Sequence, residues 1–508
     1  MLSDALDVDV VSLLKKEKLL YDRLNKDQLY AYSAIVDRIR SGKPGFFFAS
    51  GYGGTGKTFL WNALDAYLRG NKRVVLSVAS SRVVALLLPA GRTAHSRFKI
   101  PVDLPDHGTC EIKRSTMLST LIESADLIIW DEALMSHRKC FEALDRSFRG
   151  ILSANDPSLA KVPFGGKVVV LGGDLRQILP VIEGGSRAQI LAAAITNSPL
   201  WNIVDVLHLN INMRLTVHTN DPILQSEVAA FAEWVLSLGD GTAPVVTREG
   251  ESDPSWITIP DELLIHTDGD KIDAIVQAIY KDIPARYSDV GYLKESAILT
   301  PTNEVAEKIN EHVLSLVPTD EREYLSCDTI GNSDDAVRNQ DAFYPVEYLN
   351  GIKVNNFPYH KLVLKVGVPI MLLRNLNQSI GLCNGTRLIV TKLADKISEA
   401  TIITGSNIGD VVFIPRIGLT SKDPKWPFTL HHRQFPVRLS YAMTINKSQG
   451  QTLSNVGLYL DTPVFTHGQL YVACYFKKSL KILIEGEDDK TASQTRNIVF
   501  PEIFCSIR

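Results

Sequence analysis

The sequence predicts an α/β protein of at least two domains, each built on a parallel sheet, with a β-rich insert in the second. Three observations carry this. Apolar runs of strand length alternate with amphipathic helical stretches through the first part of the chain, the mark of a parallel sheet covered by helices. A glycine-rich loop at residues 51–58 joins one such strand to one such helix. Finally, 508 residues exceed what a single core holds.

Taken in order, strands are expected at residues 46–50, 74–79, 127–130, 168–172 and 206–209, and helices at 28–40, 58–68, 82–88 and 139–152. Between 98 and 126 proline, glycine and charged residues break the alternation, so this stretch reads as a small excursion from the sheet. A second α/β series starts near Asp205, with a strand at 296–300 and a helix at 305–316. From 363 to 433 turn residues separate short β runs at 369–373, 386–393, 400–404 and 411–415, the pattern of a small inserted β-barrel. The α/β pattern resumes at 439–443 and ends in a strand at 480–484, while 249–254 and 320–342 read as surface loops. The expected division is an extension over 1–23, a first domain over 24–204 and a second over 205–508.

Composition narrows the class. Hydrophobic residues make up 45% and charged residues 22%, as in an ordinary globular protein. A net charge of −3 gives no bulk attraction for nucleic acid, so any such binding must use local grooves. The six cysteines, at 110, 140, 327, 383, 474 and 505, form no C-x-x-C pair, which argues against a zinc site or disulfide framework. The first residues are acidic early and match neither a signal peptide nor an Arg-rich transit peptide. No uninterrupted apolar stretch is long enough to span a bilayer, so no membrane partner is expected. Lys15-Lys16-Glu17-Lys18 reads as a solvated helix face.

The chemistry is carried by short strings. Gly51-Tyr52-Gly53-Gly54-Thr55-Gly56-Lys57-Thr58 matches G-x-x-x-x-G-K-[ST] between a strand and a helix. Its backbone N–H groups and the helix N-terminus suit an anion, Lys57 suits the β- and γ-phosphates of ATP, and the Thr58 hydroxyl suits Mg²⁺. Trp130-Asp131-Glu132-Ala133 follows a second buried strand. There Asp131 suits the metal shell, and Glu132 suits the attacking water. Gly173-Asp174-Leu175-Arg176-Gln177 ends another strand, placing Gln177 where it can sense the γ-phosphate or the attacking water. Arg214, in Asn212-Met213-Arg214, is suited to stabilising charge on the transferring phosphoryl group. Residues 444–452, Thr-Ile-Asn-Lys-Ser-Gln-Gly-Gln-Thr, are dense in short donors fit to grip a phosphodiester backbone.

As an ordered set, these strings resemble the Pif-one family of superfamily-one DNA helicases, in particular its eukaryotic branch, which includes the helicase half of Helitron transposon proteins. Further matching residues are 24–28, 91–96, 163–167, 299–303, 373–377 and 384–386, so the resemblance runs from about Leu24 to Ile484. It implies two RecA-like domains flanking an ATP cleft, a wedge in the excursion after Phe98, and an SH3-like fold for the β-rich insert. It further implies 5′→3′ movement on single-stranded DNA and unwinding of forked duplex by a monomer. The implied setting is repair, recombination and telomere maintenance, in the nucleus with the mitochondrion as second choice. Carried over by position, Gln28 reads the adenine, and Gly51, Gly53, Gly54, Thr55, Gly56, Lys57, Thr58 and Gly450 bind nucleotide. Thr58 and Asp131 hold Mg²⁺, while Gln177 and Arg214 couple the γ-phosphate to closure. His95, Ser96, Thr444, Ser448 and Gln449 touch DNA, with Phe98 either a base-stacking ring or a core residue.

One departure stands out. The family pattern Q-L-Y-V-A-x-S-R is met by Gln469-Leu470-Tyr471-Val472-Ala473-Cys474, but Tyr475-Phe476 replaces Ser-Arg, and the segment is about three residues short. That Arg is the family's second cation for the γ-phosphate, and such groups are worth roughly 10³–10⁵ in rate in other phosphoryl-transfer enzymes. Lys477 and Lys478 offer charge without the planar fork. The alternative to a helicase is therefore a nucleotide- and DNA-binding relative whose coupling is impaired.

Overall fold

Phe46, Phe47 and Phe48 are all buried, which fixes Gly45–Gly51 as a central strand, β1, with apolar side chains on both faces. The computed structural model describes residues 9–213, 222–247, 255–331, 344–378, 380–405, 407–422, 425–475, 479–486 and 491–507. The chain divides into two units, the first comprising residues 1–258, 464–475 and 495–508, the second residues 259–463 and 476–494.

Unit 1 begins with α1 (Val10–Tyr21), which includes the Lys15–Lys18 run expected on a helix, and α2 (Lys26–Arg40). After β1 come α3 (Lys57–Gly70), β2 (Val74–Ala79), β3 (Arg92–Thr93), β4 (Ala125–Asp131), α4 (Arg138–Leu152), β5 (Val168–Gly173) and β6 (Asp205–Leu209). The six strands form one parallel sheet in the order β3-β2-β4-β5-β1-β6. Phe46 and Phe48 pack on one face with Trp130, Phe141 and Phe148. Phe47 and Ala49 pack on the other with Ile35, Trp61 and Leu64. Burying each such ring is worth about 1.5–3 kcal/mol. Because β6 pairs with β1 from Phe47↔Asp205 to Gly51↔Leu209, the boundary expected at 205 is corrected, and unit 1 runs on to Thr258. Of the excursion expected over 98–126, residues 99–116 carry no helix or strand, whereas Met117–Ser124 is a helix that leads into β4. The 99–116 segment lies against α4 through Arg146 Nε to the Gly108 carbonyl (3.0 Å) and the Cys110 N–H to Ser147 Oγ (2.8 Å).

Unit 2 is centred on a parallel sheet ordered Ala442–Thr444, Ser296–Thr300, Asn455–Leu460, Ser479–Ile484. Helix Asn303–Leu316 is tied to it by Asn310, which exchanges hydrogen bonds with both backbone groups of Ala442 at 2.8 and 2.9 Å. The β-rich insert is present, with strands close to those expected. Among the described residues, however, it is an open antiparallel sheet ordered Val411–Pro415, Ile397–Ile402, Arg387–Leu393, Pro369–Leu372, Val437–Leu439, and not a closed barrel. The loop expected over 320–342 is also corrected: Glu321–Leu325 and Cys327–Gly331 are strands, paired with Lys361–Lys365 and Thr429–Gln434. Residues 332–342 and 249–254 lie outside the described residues. Among the described residues no helix is long and apolar enough to cross a membrane.

Candidate active site

In a parallel sheet, ligands bind beyond the carboxyl ends of the strands, and there unit 1 gathers its polar side chains. β1 runs into the glycine-rich loop, which enters α3 through Gly56 at φ 79°, a left-handed conformation that a side chain resists. Lys57 is buried, and its ammonium donates to the carbonyl of Gly51. Thr55 Oγ1 donates to the Tyr52 carbonyl at 2.7 Å. The segment after β6 clasps the loop: the Met213 N–H donates to the Gly54 carbonyl (2.8 Å), and the Tyr52 hydroxyl donates to the Asn210 carbonyl (2.8 Å). Arg214, the next residue, lies outside the described residues.

Gln28, expected to read the adenine, holds the loop in this structure. It is fully buried, accepts the Asn25 N–H in a capping box that starts α2, and donates its amide to the Thr55 carbonyl at 2.9 Å. Both ends of its side chain are committed to holding the loop against α2.

Beside the loop, β4 ends in Asp131, 3% exposed, and Glu132, whose N–H donates to Asp131 Oδ1 at 3.0 Å. Glu132 takes a left-handed backbone, φ 48°, which breaks the strand here. Burial pulls the Lys57 ammonium pKa down, but Glu132, Asp174 and Asp131 outweigh it, so the lysine stays charged with its pKa above the ordinary value. Burial raises the Asp131 carboxyl, and Lys57 and the Glu132 N–H only partly offset it. One buried cation thus faces three acids.

The end of β5 forms the other side. Asp174 is buried, accepts the Tyr471 hydroxyl at 2.8 Å and the Arg176 N–H at 3.2 Å, and its carbonyl accepts the Gln177 N–H at 2.9 Å. Arg176 pairs with Asp240 at 2.8 Å and lies over the Tyr52 ring at 5.7 Å. Tyr471 comes from helix Gln469–Cys474, all of whose residues are buried. Just before it, His467 joins the Leu175 carbonyl (2.8 Å) and the Phe500 N–H (2.9 Å). Sequence reasoning reached Gln177 but missed Asp174, Tyr471 and His467. The available signal was polar residues inside apolar motif strings.

The residues expected on DNA are placed unevenly. His95 is half-buried, 3.9 Å from Cys140 Sγ, with its pKa lowered by burial. Ser96 donates its hydroxyl to the Thr93 carbonyl at 3.0 Å. Phe98 is 0% exposed and meets the Phe148 ring edge-on at 5.6 Å, so the stacking role is corrected to a core role. In unit 2, Thr444 and Gln449 are mostly buried, and Ser448 is fully buried with its hydroxyl donating to the Ile445 carbonyl at 2.7 Å. Ser448 shapes its turn and presents no group outward. Gly450, φ 80°, belongs to unit 2. Thr444 and Lys447 line a cavity of about 430 Å³ with Asn303, Glu307, Tyr359 and Arg438. Burial and Arg438 push the Lys447 pKa down to about 7.

Comparison with known proteins identifies the family. Residues 23–249 match the family model of the PIF1-like helicase, and residues 347–393 match that of the DNA helicase Pif1 2B domain. The chain belongs to the PIF1-like helicase family. The 2B match covers the first half of the inserted sheet, including Pro369–Leu372 and Arg387–Leu393. Among relatives, the chain is 25% identical over 88% of its length to the ATP-dependent DNA helicase Pif1 of Psychrobacter sp., covering 66% of that protein. It is 27% identical over 90% of its length to the ATP-dependent DNA helicase PIF1 of Danio rerio, covering 60%. The chain therefore spans about two thirds or less of the length of these relatives. Bacteroides Pif1 bound to single-stranded DNA shares the fold, with a TM-score of 0.61, 21% identity and 95% coverage of both chains. Candida albicans Pif1 gives a TM-score of 0.57 at 20% identity, covering 95% of this chain and 98% of that one. The two parallel sheets are those of a pair of RecA-like domains.

Proposed function

We propose that this PIF1-family chain is an ATP-dependent DNA helicase that translocates 5′→3′ on single-stranded DNA and separates the strands of a forked duplex. The observation that carries the reading is the buried Lys57 ammonium facing Asp131, Glu132 and Asp174 at the ends of parallel strands. In this reading the loop N–H groups and Lys57 bind the phosphates of ATP. Glu132, whose charge acts on Lys57, orients the attacking water and takes its proton. The Asp131 carboxylate and the exposed Thr58 hydroxyl are oxygen donors of the kind that suit Mg²⁺. Bound there, Mg²⁺ would supply charge neutralisation on the β- and γ-oxygens. Gln177 and Arg214 report the γ-phosphate to the rest of the chain. His95, Ser96 and Thr444 hold the sugar–phosphate backbone with little sequence preference. Repair, recombination and telomere maintenance in the nucleus are the setting the family suggests.

The test is ATP hydrolysis by the full chain with and without single-stranded DNA, beside Lys57→Ala, followed by strand separation on forks with a 5′ or a 3′ tail. Stimulated turnover lost in Lys57→Ala, with opening of 5′-tailed forks, supports the proposal. Nucleotide binding without stimulated turnover would sink it in favour of the impaired relative that Tyr475-Phe476 raises. The retained Lys57, Asp131 and Glu132 speak against that outcome.

A further inference from the structure

We propose that Tyr475 is the group this chain offers to the terminal phosphate of ATP, its phenol hydroxyl resting on Gly53 of the glycine-rich loop. The inference rests on the nucleotide reading of that loop, and it concerns the position where the sequence lacks the family's Ser-Arg.

Tyr475 directly follows helix Gln469–Cys474, which is held to the end of β5 by Tyr471 on Asp174 at 2.8 Å and by the neighbouring His467 on the Leu175 carbonyl at 2.8 Å. Its ring lies 6.2 Å from that of Tyr471. A Cβ built on Gly53 would run into the hydroxyl, Cζ and Cε2 of Tyr475, so the ring edge touches loop backbone. Gly53 does not use a left-handed conformation, and its missing side chain therefore serves this close approach. Tyr475 is also electrostatically coupled to Lys57. The hydroxyl lies against Gly53 and the ammonium on the Gly51 carbonyl, so both are held on the same loop.

A phenol donates one hydrogen bond and stays neutral near pH 7. Towards a γ-phosphate oxygen it supplies a donor but no positive charge. It therefore distinguishes ATP from ADP, while leaving the charge of the transition state less compensated than a guanidinium would.

The experiment uses the full chain with Tyr475→Phe, Tyr475→Arg and Lys57→Ala, measuring affinity for ADP and for the β,γ-methylene analogue of ATP, and steady-state hydrolysis. Tyr475→Phe should lose about ten-fold in affinity for the ATP analogue, as expected for a hydrogen bond to a charged group, with ADP affinity and melting temperature unchanged. Tyr475→Arg should raise kcat by about ten-fold or more. An unchanged ATP-to-ADP preference in Tyr475→Phe, while Lys57→Ala abolishes binding of both, would overturn the proposal and leave the helicase reading standing. Wild-type binding by Lys57→Ala would instead sink the nucleotide reading itself. The contact has its own check: Gly53→Ala should lower the melting temperature, and adding Tyr475→Ser should restore it. No restoration would overturn the placement.

Discussion

The side-chain amide of Gln28 donates to the Thr55 carbonyl at 2.9 Å while its carbonyl accepts the Asn25 N–H at 3.0 Å, so one residue both starts α2 and holds the glycine-rich loop. Gln28→Glu keeps the acceptor for Asn25 and turns the donor into a second acceptor facing a carbonyl. In a fully buried position this should destabilise the fold by about 1–3 kcal/mol. Urea unfolding checks it. A loss of ATP affinity with unchanged stability would return Gln28 to the base-reading role.

Phe98 gives the second prediction. With the ring buried against Phe148, Phe98→Ala should cost about 3–5 kcal/mol, and Phe98→Leu clearly less. DNA affinity of folded Phe98→Leu protein should match wild type, measured by fluorescence anisotropy on a labelled single strand. A ten-fold loss there would mean that the ring reaches a base.

His467 makes stability depend on pH. Its Nδ1 accepts the Phe500 N–H, so Nε2 carries the proton given to the Leu175 carbonyl, and the buried ring is neutral. Burial lowers its pKa; the Leu175 carbonyl and Asp174 push it up, Arg187 down and Glu502 up. A lowered folded value means that the unfolded chain binds the extra proton. The stability His467 contributes is therefore complete above about pH 6.5 and lost as pH falls from there towards the lowered folded value. His467→Gln, which keeps a donor and an acceptor, should flatten the decline between pH 7 and 5. Thermal melts across that range decide it, and equal slopes would contradict the assignment.

Arg387 anchors the inserted sheet inside unit 2. Fully buried, it donates to the carbonyls of Leu293 (3.0 Å), Lys294 (3.2 Å), Ser296 (3.2 Å) and Ser440 (3.1 Å). Arg387→Met leaves these acceptors unpaired and should cost at least about 3 kcal/mol, with Arg387→Lys recovering only part because it lacks the planar fork. Chemical denaturation followed by tryptophan fluorescence measures both. A neutral Arg387→Met would show that water takes over the carbonyls.

Local signals made much of this legible. Strand β1 and the glycine-rich loop, the acids ending β4, and the strands of the insert were readable because apolar runs and glycine spacing are written within a few residues. Long-range pairing was not. β6 reads as the start of a new domain because nothing in Asp205–Leu209 announces β1, far upstream, as its partner. Glu321–Leu325 reads as a loop because its charged residues face outward, while Tyr324 alone is buried. Gln28 and Ser448 sit in the right strings, but their side chains are spent on the backbone, which only coordinates reveal. The contact of Tyr475 with Gly53 joins residues from opposite ends of the sequence and leaves no local trace.

Unit 1 is assembled from three separated lengths of chain, and this bears on how the protein is made. When a ribosome has released the sheet, the carbonyl of Leu175 and the carboxylate of Asp174 still wait for His467 and Tyr471. At ~5–20 residues per second, that wait lasts roughly tens of seconds. The nascent sheet is therefore a half-finished binding site, open to chaperones and proteases, and it matures only when residues 464–475 emerge.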